Sequence, residues 1–141
     1  MRNCKIAWSA DGGDRKMIEY KQWREDNNIT FKSEHKVLFS QCTSSKTLSF
    51  YEILKLTSDM AVEDYAQQGM SREFLIEHGF AFLVSRASFR FHRLPRENER
   101  FTFTTYEEKP EPLQLVRAYE FVSEDGTPLI TGLSTWILAD P

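Results

Sequence analysis

The sequence lacks the features that mark several large protein classes. Its 141 residues contain two cysteines, Cys4 and Cys42, which are too few for a disulfide framework and fit a reducing cytoplasm. No run reaches the roughly 18 apolar residues of a membrane-spanning helix, and the N-terminus lacks the apolar stretch of a signal peptide. A net charge of −3 argues against wholesale nucleic-acid binding, which needs a strongly basic surface. We therefore expect a cytoplasmic globular protein that neither spans a membrane nor binds nucleic acid.

Aromatic residues are abundant, by contrast, with eleven phenylalanines and an aromatic share of 13%. Such a supply favours a β-rich fold or an apolar ligand tunnel, and simple filling of a core is the alternative. The length predicts one domain, which we place at residues 31–141. Residues 1–30 are predicted to form an extension, because they show no sustained period beyond a short strand at Lys5–Trp8.

The clearest element is a long helix from Ser49 to Gly69. Ser49 and Glu52 have the spacing of a capping box, and Gly69 is suited to a left-handed helix end. At about 100° per residue, one broad apolar arc contains Phe50, Ile53, Leu54, Leu56, Met60, Ala61 and Tyr65, widened by Tyr51 and Val62. The remaining polar stripe is narrow and contains Glu52, Lys55, Asp59 and Glu63. A helix this apolar is expected to be wrapped by other elements.

Strand patterns surround this helix. They are predicted at 35–42, 80–93, 100–106, 113–123 and 127–139. A short helix is predicted at 72–77, and Asp125-Gly126 is a hairpin signal. The first half of 80–93 is apolar on both faces, which favours a central or a helix-covered position in the sheet. The order of elements predicts an α+β fold in which one antiparallel sheet is wrapped around the long central helix.

Five segments in this order resemble the first hotdog half of the acyl-acyl-carrier-protein (acyl-ACP) thioesterases. They are Gln67-Gln68-Gly69, residues 79–86 (GFAFLVSR), 93–99 (RLPRENE), 117–121 (RAYEF) and 134–140 (STWILAD). The resemblance covers about residues 31–140. It implies a single hotdog domain and hydrolysis of acyl thioesters of acyl carrier protein or coenzyme A in fatty acid biosynthesis.

Two departures from that family concern catalysis. Members usually carry two fused hotdog halves, and the resemblance implies that their catalytic carboxylate, amide and imidazole lie in the second half, beyond Pro141. Many hotdog thioesterases also have an Asp-x-x-Gly pattern in the loop before the helix, where this chain has Thr43-Ser44-Ser45-Lys46. None of the family's catalytic residues can therefore be assigned to this chain, and no catalytic aspartate is expected in that loop.

Hydrolysis of a thioester needs a carboxylate to activate water and N–H groups to hold the oxyanion. The Ser49 end of the helix offers free backbone donors, although an ordinary cap is the alternative. The candidate catalytic carboxylates are Asp59, Glu63 and Asp64. Asp59 and Glu63 lie on the polar stripe, and the alternative is that they are solvated or dimer-facing residues. Asp64 falls inside the apolar arc, so it either meets a basic partner or serves a site.

The candidate substrate-binding residues are basic and aromatic. A basic cluster that suits an acidic carrier protein or a phosphate consists of Arg86, Arg90, Arg93 and Arg96, with Arg100 beside them. The alternative is a solvated strand face whose charge is balanced by Glu97 and Glu99. For the acyl chain the candidates are Phe82, Phe89, Phe91 and Trp136, with core filling as the alternative. The three histidines, His35, His78 and His92, show no metal-binding spacing, so we expect no metal and no cofactor.

Two functions from different classes remain open at this point. The first is an acyl thioester hydrolase that works as a homodimer or higher homo-oligomer, with its site between subunits. Dimerisation is expected because a curled sheet leaves a free edge that needs cover. The second is a non-catalytic acyl-binding or dimerisation module, or the N-terminal half of a double-hotdog thioesterase.

Overall fold

A seven-stranded antiparallel sheet wraps one long helix in the computed structural model, which describes residues 2–4, 20–108 and 114–140. The helices are α1 (Phe50–Gln67) and α2 (Arg72–Glu77). The strands are β1 (Arg2–Cys4), β2 (Tyr20–Arg24), β3 (Phe31–Lys36), β4 (Ala81–Phe91), β5 (Arg100–Glu107), β6 (Leu115–Ser123) and β7 (Pro128–Ala139). Their order across the sheet is β1-β2-β3-β5-β6-β7-β4. The predicted α+β architecture is confirmed.

Helix α1 begins and ends as its sequence predicts. The Ser49 hydroxyl accepts a hydrogen bond from the Glu52 amide at 3.3 Å, and Gly69 follows the helix with φ of +94°. The buried face consists of Ile53, Thr57, Met60, Ala61, Asp64 and Tyr65. Phe50 and Tyr51 are 50% and 68% exposed, so the apolar arc predicted for the first turn is not buried.

The core lies between α1 and the concave face of the sheet. Its strand residues include Phe31, Phe101, Phe103, Tyr119, Phe121, Leu129, Ile130 and Trp136. The rings interlock, as in the edge-to-face contact of Phe103 with Phe121 at 5.1 Å. Each such side chain contributes about 1.5–3 kcal/mol through burial. Core filling therefore accounts for many of the phenylalanines.

The first predicted strand was wrong over most of its length. β3 ends at Lys36, and residues 39–41 form a 3₁₀ turn in which Phe39 is 83% exposed. The chain turns here because the Gln41 amide bonds to the Leu38 carbonyl, and the Leu38 amide bonds to the Gln41 side chain. These partners are invisible in a hydrophobic pattern.

The N-terminal part of the sheet begins earlier than the predicted domain boundary. Strand β2 pairs with β3, with Trp23 opposite Lys32. The division at residue 30 stays a prediction, and the strand predicted at Lys5–Trp8 lies outside the described residues. Residues 109–112, whose Lys-Pro-Glu-Pro sequence predicts an interruption between two strands, lie outside them as well.

Strand β4 lies at the edge of the sheet, not in its centre. Leu83 and Val84 are 51% and 46% exposed, so an apolar run that predicted double-sided burial is half open to solvent. A register shift at Ser85 interrupts the pairing with β7. Beyond it the side chains alternate between the two faces, with Phe89 turned towards α1 and Arg90 on the opposite face. An eleven-residue edge is thus left with unpaired backbone groups.

Candidate active site

A cavity of about 440 Å³ lies between the second half of α1, α2 and the start of β4. Ser71 positions α2 against it, because its hydroxyl caps that helix by accepting from the Phe74 amide at 3.1 Å. The apolar lining of the cavity consists of Val62, Leu75, Ile76, Phe80, Phe82 and Trp136. A pocket of this size and character suits a small apolar group.

Two of the three candidate carboxylates line this cavity. Asp59 and Glu63 are one helical turn apart, so both side chains lie on the same face of α1. Asp59 is exposed and Glu63 is half-buried. The Gln67 side chain donates to the Glu63 carboxylate at 3.0 Å, and Arg72 of α2 lines the same space. The structure therefore brings these acids together with the predicted acyl contacts Phe82 and Trp136.

Asp64, the third candidate, lies among basic partners in the interior. Its side chain is 1% exposed and accepts from Arg24 Nη2 at 2.6 Å and Arg117 Nη1 at 2.8 Å. Gln68 Nε2 adds a third contact at 3.3 Å. Asp64 thus has the basic partners that its position in the apolar arc required. Its catalytic role stays a prediction, and that role would require these bonds to break.

Neither arginine was identified from the sequence. Arg117 shares a strand face with Tyr119 and Phe121, which are both buried. A charge in that apolar row was the available signal for a buried ion pair with Asp64. Arg24 carries no such signal, because its position depends on the pairing of β2 with β3.

Arg117 is held in its charged form by what surrounds it. Burial opposes the charge, but Tyr65 and Asp64 outweigh it and raise the pKa of Arg117. The guanidinium carbon lies 4.3 Å from the centre of the Tyr65 ring, a cation–π contact. Burial also raises the pKa of the neighbouring Glu107 carboxyl, while Arg117 acts in the opposite direction.

Phe82 and Trp136, the aromatic wall of the cavity, are held in place by buried residues that do not line it. Tyr65 stacks on Phe82 at 4.9 Å, and Phe82 meets Trp136 edge to face at 5.9 Å. The indole of Trp136 donates to the Ser134 hydroxyl at 2.8 Å, and Tyr119 shares that hydroxyl at 2.6 Å. Hydrogen bonds of buried groups restrict these rings to one arrangement.

A second groove, of about 790 Å³, lies at the other end of α1. Its apolar lining is Leu48, Phe50, Phe91 and Leu94, beside the predicted loop at 43–46. The rings of Phe89 and Phe91 lie 5.8 and 5.9 Å from Phe50, so these two candidates are here and not beside Phe82. The Phe89 ring also covers Gly132, where a Cβ atom would meet it at 2.5 Å. Phe50, the first residue of α1, lines this groove.

The arginine candidates do not form one surface with the cavity. Arg86 and Arg90 lie on the sheet face opposite α1. Arg93 donates twice to the Glu99 carboxylate, at 2.8 and 2.7 Å, and this bonding holds the pKa of Glu99 below its usual value. Arg96 is exposed in the turn before β5. Their substrate-binding roles stay predictions.

The histidines lie apart from both grooves or serve local structure. His35 stacks on Phe101 at 5.5 Å and shares a 2.6 Å hydrogen bond with Ser33, and desolvation lowers its pKa to about 4. The His78 ring bonds to the Phe74 carbonyl at the end of α2. Within the described ranges, no cluster of histidine, cysteine and acidic side chains is arranged to hold a metal ion. No described helix is long and apolar enough to cross a membrane.

The profile of the acyl-ACP thioesterase N-terminal domain matches residues 28–141. The chain belongs to this family. The resemblance of the five segments is thereby confirmed, and the match covers both grooves and the whole of α1. A comparison of this family member with curated proteins finds no match.

Solved structures show the same hotdog fold. An acyl-ACP thioesterase from Bacteroides thetaiotaomicron has a TM-score of 0.77 at 16% identity, over 82% of this chain and 48% of that one. A Lactobacillus plantarum protein assigned as an oleoyl thioesterase has a TM-score of 0.76 at 17% identity, over 82% and 45%. A 1,4-dihydroxy-2-naphthoyl-CoA thioesterase from Synechocystis gives 0.70 at 17%, over 79% and 82%. The chain thus spans about half the length of the first two structures.

Proposed function

We propose that the chain hydrolyses fatty acyl thioesters of acyl carrier protein, or of coenzyme A, in the cytoplasm. The observation that carries this proposal is the pair Asp59 and Glu63 beside an apolar cavity, in a chain of the acyl-ACP thioesterase family. The acyl chain occupies the cavity against Phe82 and Trp136. The thioester then lies near the carboxylates on α1.

The chemistry assigned to the site is a water attack on the thioester carbonyl. A carboxylate takes the proton of the water, the carbonyl oxygen becomes an oxyanion held by backbone N–H groups, and the thiolate leaves and is protonated. Glu63 is the better-positioned base, because Gln67 holds its side chain on the cavity side of α1. Asp59, which is more exposed, is the second choice.

The oxyanion donors come from a second copy of the chain. Two β4 edges that pair antiparallel would satisfy each other's free backbone groups and cover Leu83 and Val84. Such pairing places the Phe91 end of one strand beside the Ala81 end of the other. The groove at the start of α1 in one copy then adjoins the Asp59–Glu63 cavity of the other. A homodimer would thus unite the carboxylates with the free amides of a helix N-terminus.

Hydrolysis of acyl-ACP and acyl-CoA of several chain lengths by the purified chain tests this function. We expect turnover that depends on chain length, with a dimer as the active species in sedimentation measurements. Saturable acyl binding without turnover of any ester would refute the hydrolase.

That outcome would instead favour an acyl-binding module or the N-terminal half of a double-hotdog thioesterase. Two observations support this second candidate. The chain spans about half the length of two similar structures. The loop at 43–46, a tight turn closed by the Thr43 amide on the Thr47 carbonyl at 2.8 Å, contains no acid.

A further inference from the structure

Three elements of the fold meet at the carboxylate of Asp64. Its Oδ1 lies 2.6 Å from Arg24 on β2, and its Oδ2 lies 2.8 Å from Arg117 on β6. Asp64 and Arg117 are each 1% exposed, and buried charges of this kind persist only when they are well paired. Neither side chain lines the cavity. Their influence on it must pass through other residues.

The orientation of Arg117 depends on a few contacts. Besides Asp64, its Nη1 donates to the Thr105 hydroxyl at 3.1 Å, and its guanidinium plane lies over the Tyr65 ring. Its Nε has no hydrogen-bond partner among the described residues. The ion pair, the hydroxyl and the aromatic ring therefore determine where the guanidinium lies.

Tyr65 links this ion cluster to the cavity. One side of its ring is covered by Arg117 at 4.3 Å, and the ring also stacks on Phe82 at 4.9 Å. Phe82 in turn meets Trp136, and both of these rings line the cavity. A continuous row of contacts thus runs from Asp64 to the aromatic wall.

We propose that Arg117 is a positioning residue that, through Tyr65, fixes the wall formed by Phe82 and Trp136 and so limits the length of the acyl chain that the cavity accepts. This rests on the proposed function for the identity of the occupant. The planar guanidinium is essential to the role, because a lysine ammonium offers no flat face to the Tyr65 ring. If the wall relaxes, longer chains gain room.

The test compares the binding of saturated acyl-CoA esters of increasing length to the full chain. The variants are Arg117→Lys, which keeps a positive charge near Asp64, Tyr65→Leu, which removes the ring, and the double variant. We expect the ratio of long-chain to short-chain affinity to rise by roughly 2- to 30-fold in each single variant. The double variant should add little, because both changes break one row of contacts.

The matched control is Lys32→Arg, the reverse exchange at the ion pair with Glu25 on the other side of the sheet. It should leave the affinity ratio unchanged. An unchanged ratio in both folded single variants, or effects that simply add in the double variant, would overturn the proposal.

A second readout separates this inference from the proposed function. If the unsubstituted chain binds no acyl ester, the proposed function fails, and the indole N–H signal of Trp136 in NMR spectra then reports on the wall. A shifted signal in Arg117→Lys and Tyr65→Leu, but not in Lys32→Arg, supports positioning by Arg117. An unshifted signal in both variants contradicts it.

Discussion

Arg117 Nη1 lies 2.8 Å from Asp64 Oδ2, although 53 residues separate them along the chain. The bond joins β6 to the last turns of α1 in the interior of the fold. A buried ion pair is costly to break from one side, because the remaining charge keeps no adequate partner. The ion pair therefore gives a way to tell a stabilising role of Asp64 from a catalytic one, because only a stabilising role requires a loss of stability when Asp64 is replaced.

Replacement of Asp64 by asparagine should therefore destabilise the fold. We expect a loss of about 3–5 kcal/mol in the free energy of unfolding, since Arg117 loses its charged partner. Urea denaturation measures the change. Lys32→Met, which breaks the more exposed pair with Glu25, is the control and should cost about 0–1 kcal/mol. Full stability of Asp64→Asn together with lost hydrolysis would identify Asp64 as the base.

Glu63→Gln should reduce kcat for acyl thioesters by about 10²- to 10⁴-fold, because an amide cannot take the proton of the attacking water. Asp59→Asn should have the smaller effect, since Asp59 is the more exposed of the two. Steady-state kinetics on acyl-ACP and acyl-CoA measure both. Glu73→Gln, on the exposed start of α2, is a suitable control with unchanged kcat. Equal rates in all variants would refute the site.

Val84→Lys should convert the expected dimer into a monomer, because a charged side chain on an edge strand opposes strand addition. Hydrolysis should fall with it, since each site would need the helix N-terminus of the second copy. Analytical ultracentrifugation measures the state of assembly. Ile29→Lys, which places the same charge at another half-exposed apolar residue, in the β2–β3 turn, should leave a dimer. A dimeric Val84→Lys would exclude pairing through β4.

The stability of the fold should depend on pH through His35. Desolvation lowers its folded pKa from 6.5 to about 4, so between these values the unfolded chain binds more protons than the folded one. The contribution of His35 to the free energy of unfolding is then greatest above pH 6.5 and falls as the pH decreases towards about 4.

Urea denaturation across that pH range should show a flatter profile for His35→Gln than for the unsubstituted chain. His92→Gln provides the control, because His92 is exposed at the end of β4. Parallel profiles for His35→Gln and the unsubstituted chain would show that His35 contributes nothing to the pH dependence.

Local signals explain what the sequence could predict. The ends of α1 depend on Ser49 and Gly69, which act within one turn, and the alternation of β5 to β7 reflects burial on one face. The turn at 39–41 depends on hydrogen bonds between Leu38 and Gln41, so a strand was predicted there wrongly. The apolar start of β4 also predicted a central or helix-covered position, whereas β4 is an edge strand with Leu83 and Val84 half exposed.

The sequence predicted which kinds of residue form the candidate site, but not which of them lie together in the fold. Asp59, Glu63, Phe82 and Trp136 come together because α1 and β4 cross near one end of the sheet. Phe89 and Phe91 were expected beside them, yet the length of β4 carries these rings to the start of the helix. The arginine partners of Asp64 lie 40 and 53 residues away along the chain, and such distant pairings are not specified by one sequence.

The ring of Phe89 lies where a side chain at position 132 would be, and this has a consequence for how the domain can change. A methyl group at Gly132 would approach Phe89 Cδ1 to 2.5 Å and force the ring towards Phe50. A larger residue at position 132 can therefore be accommodated only together with a smaller residue at position 89. Through its edge-to-face contact with Phe50, the Phe89 ring therefore ties the residue allowed on β7 to the packing of the first residue of α1.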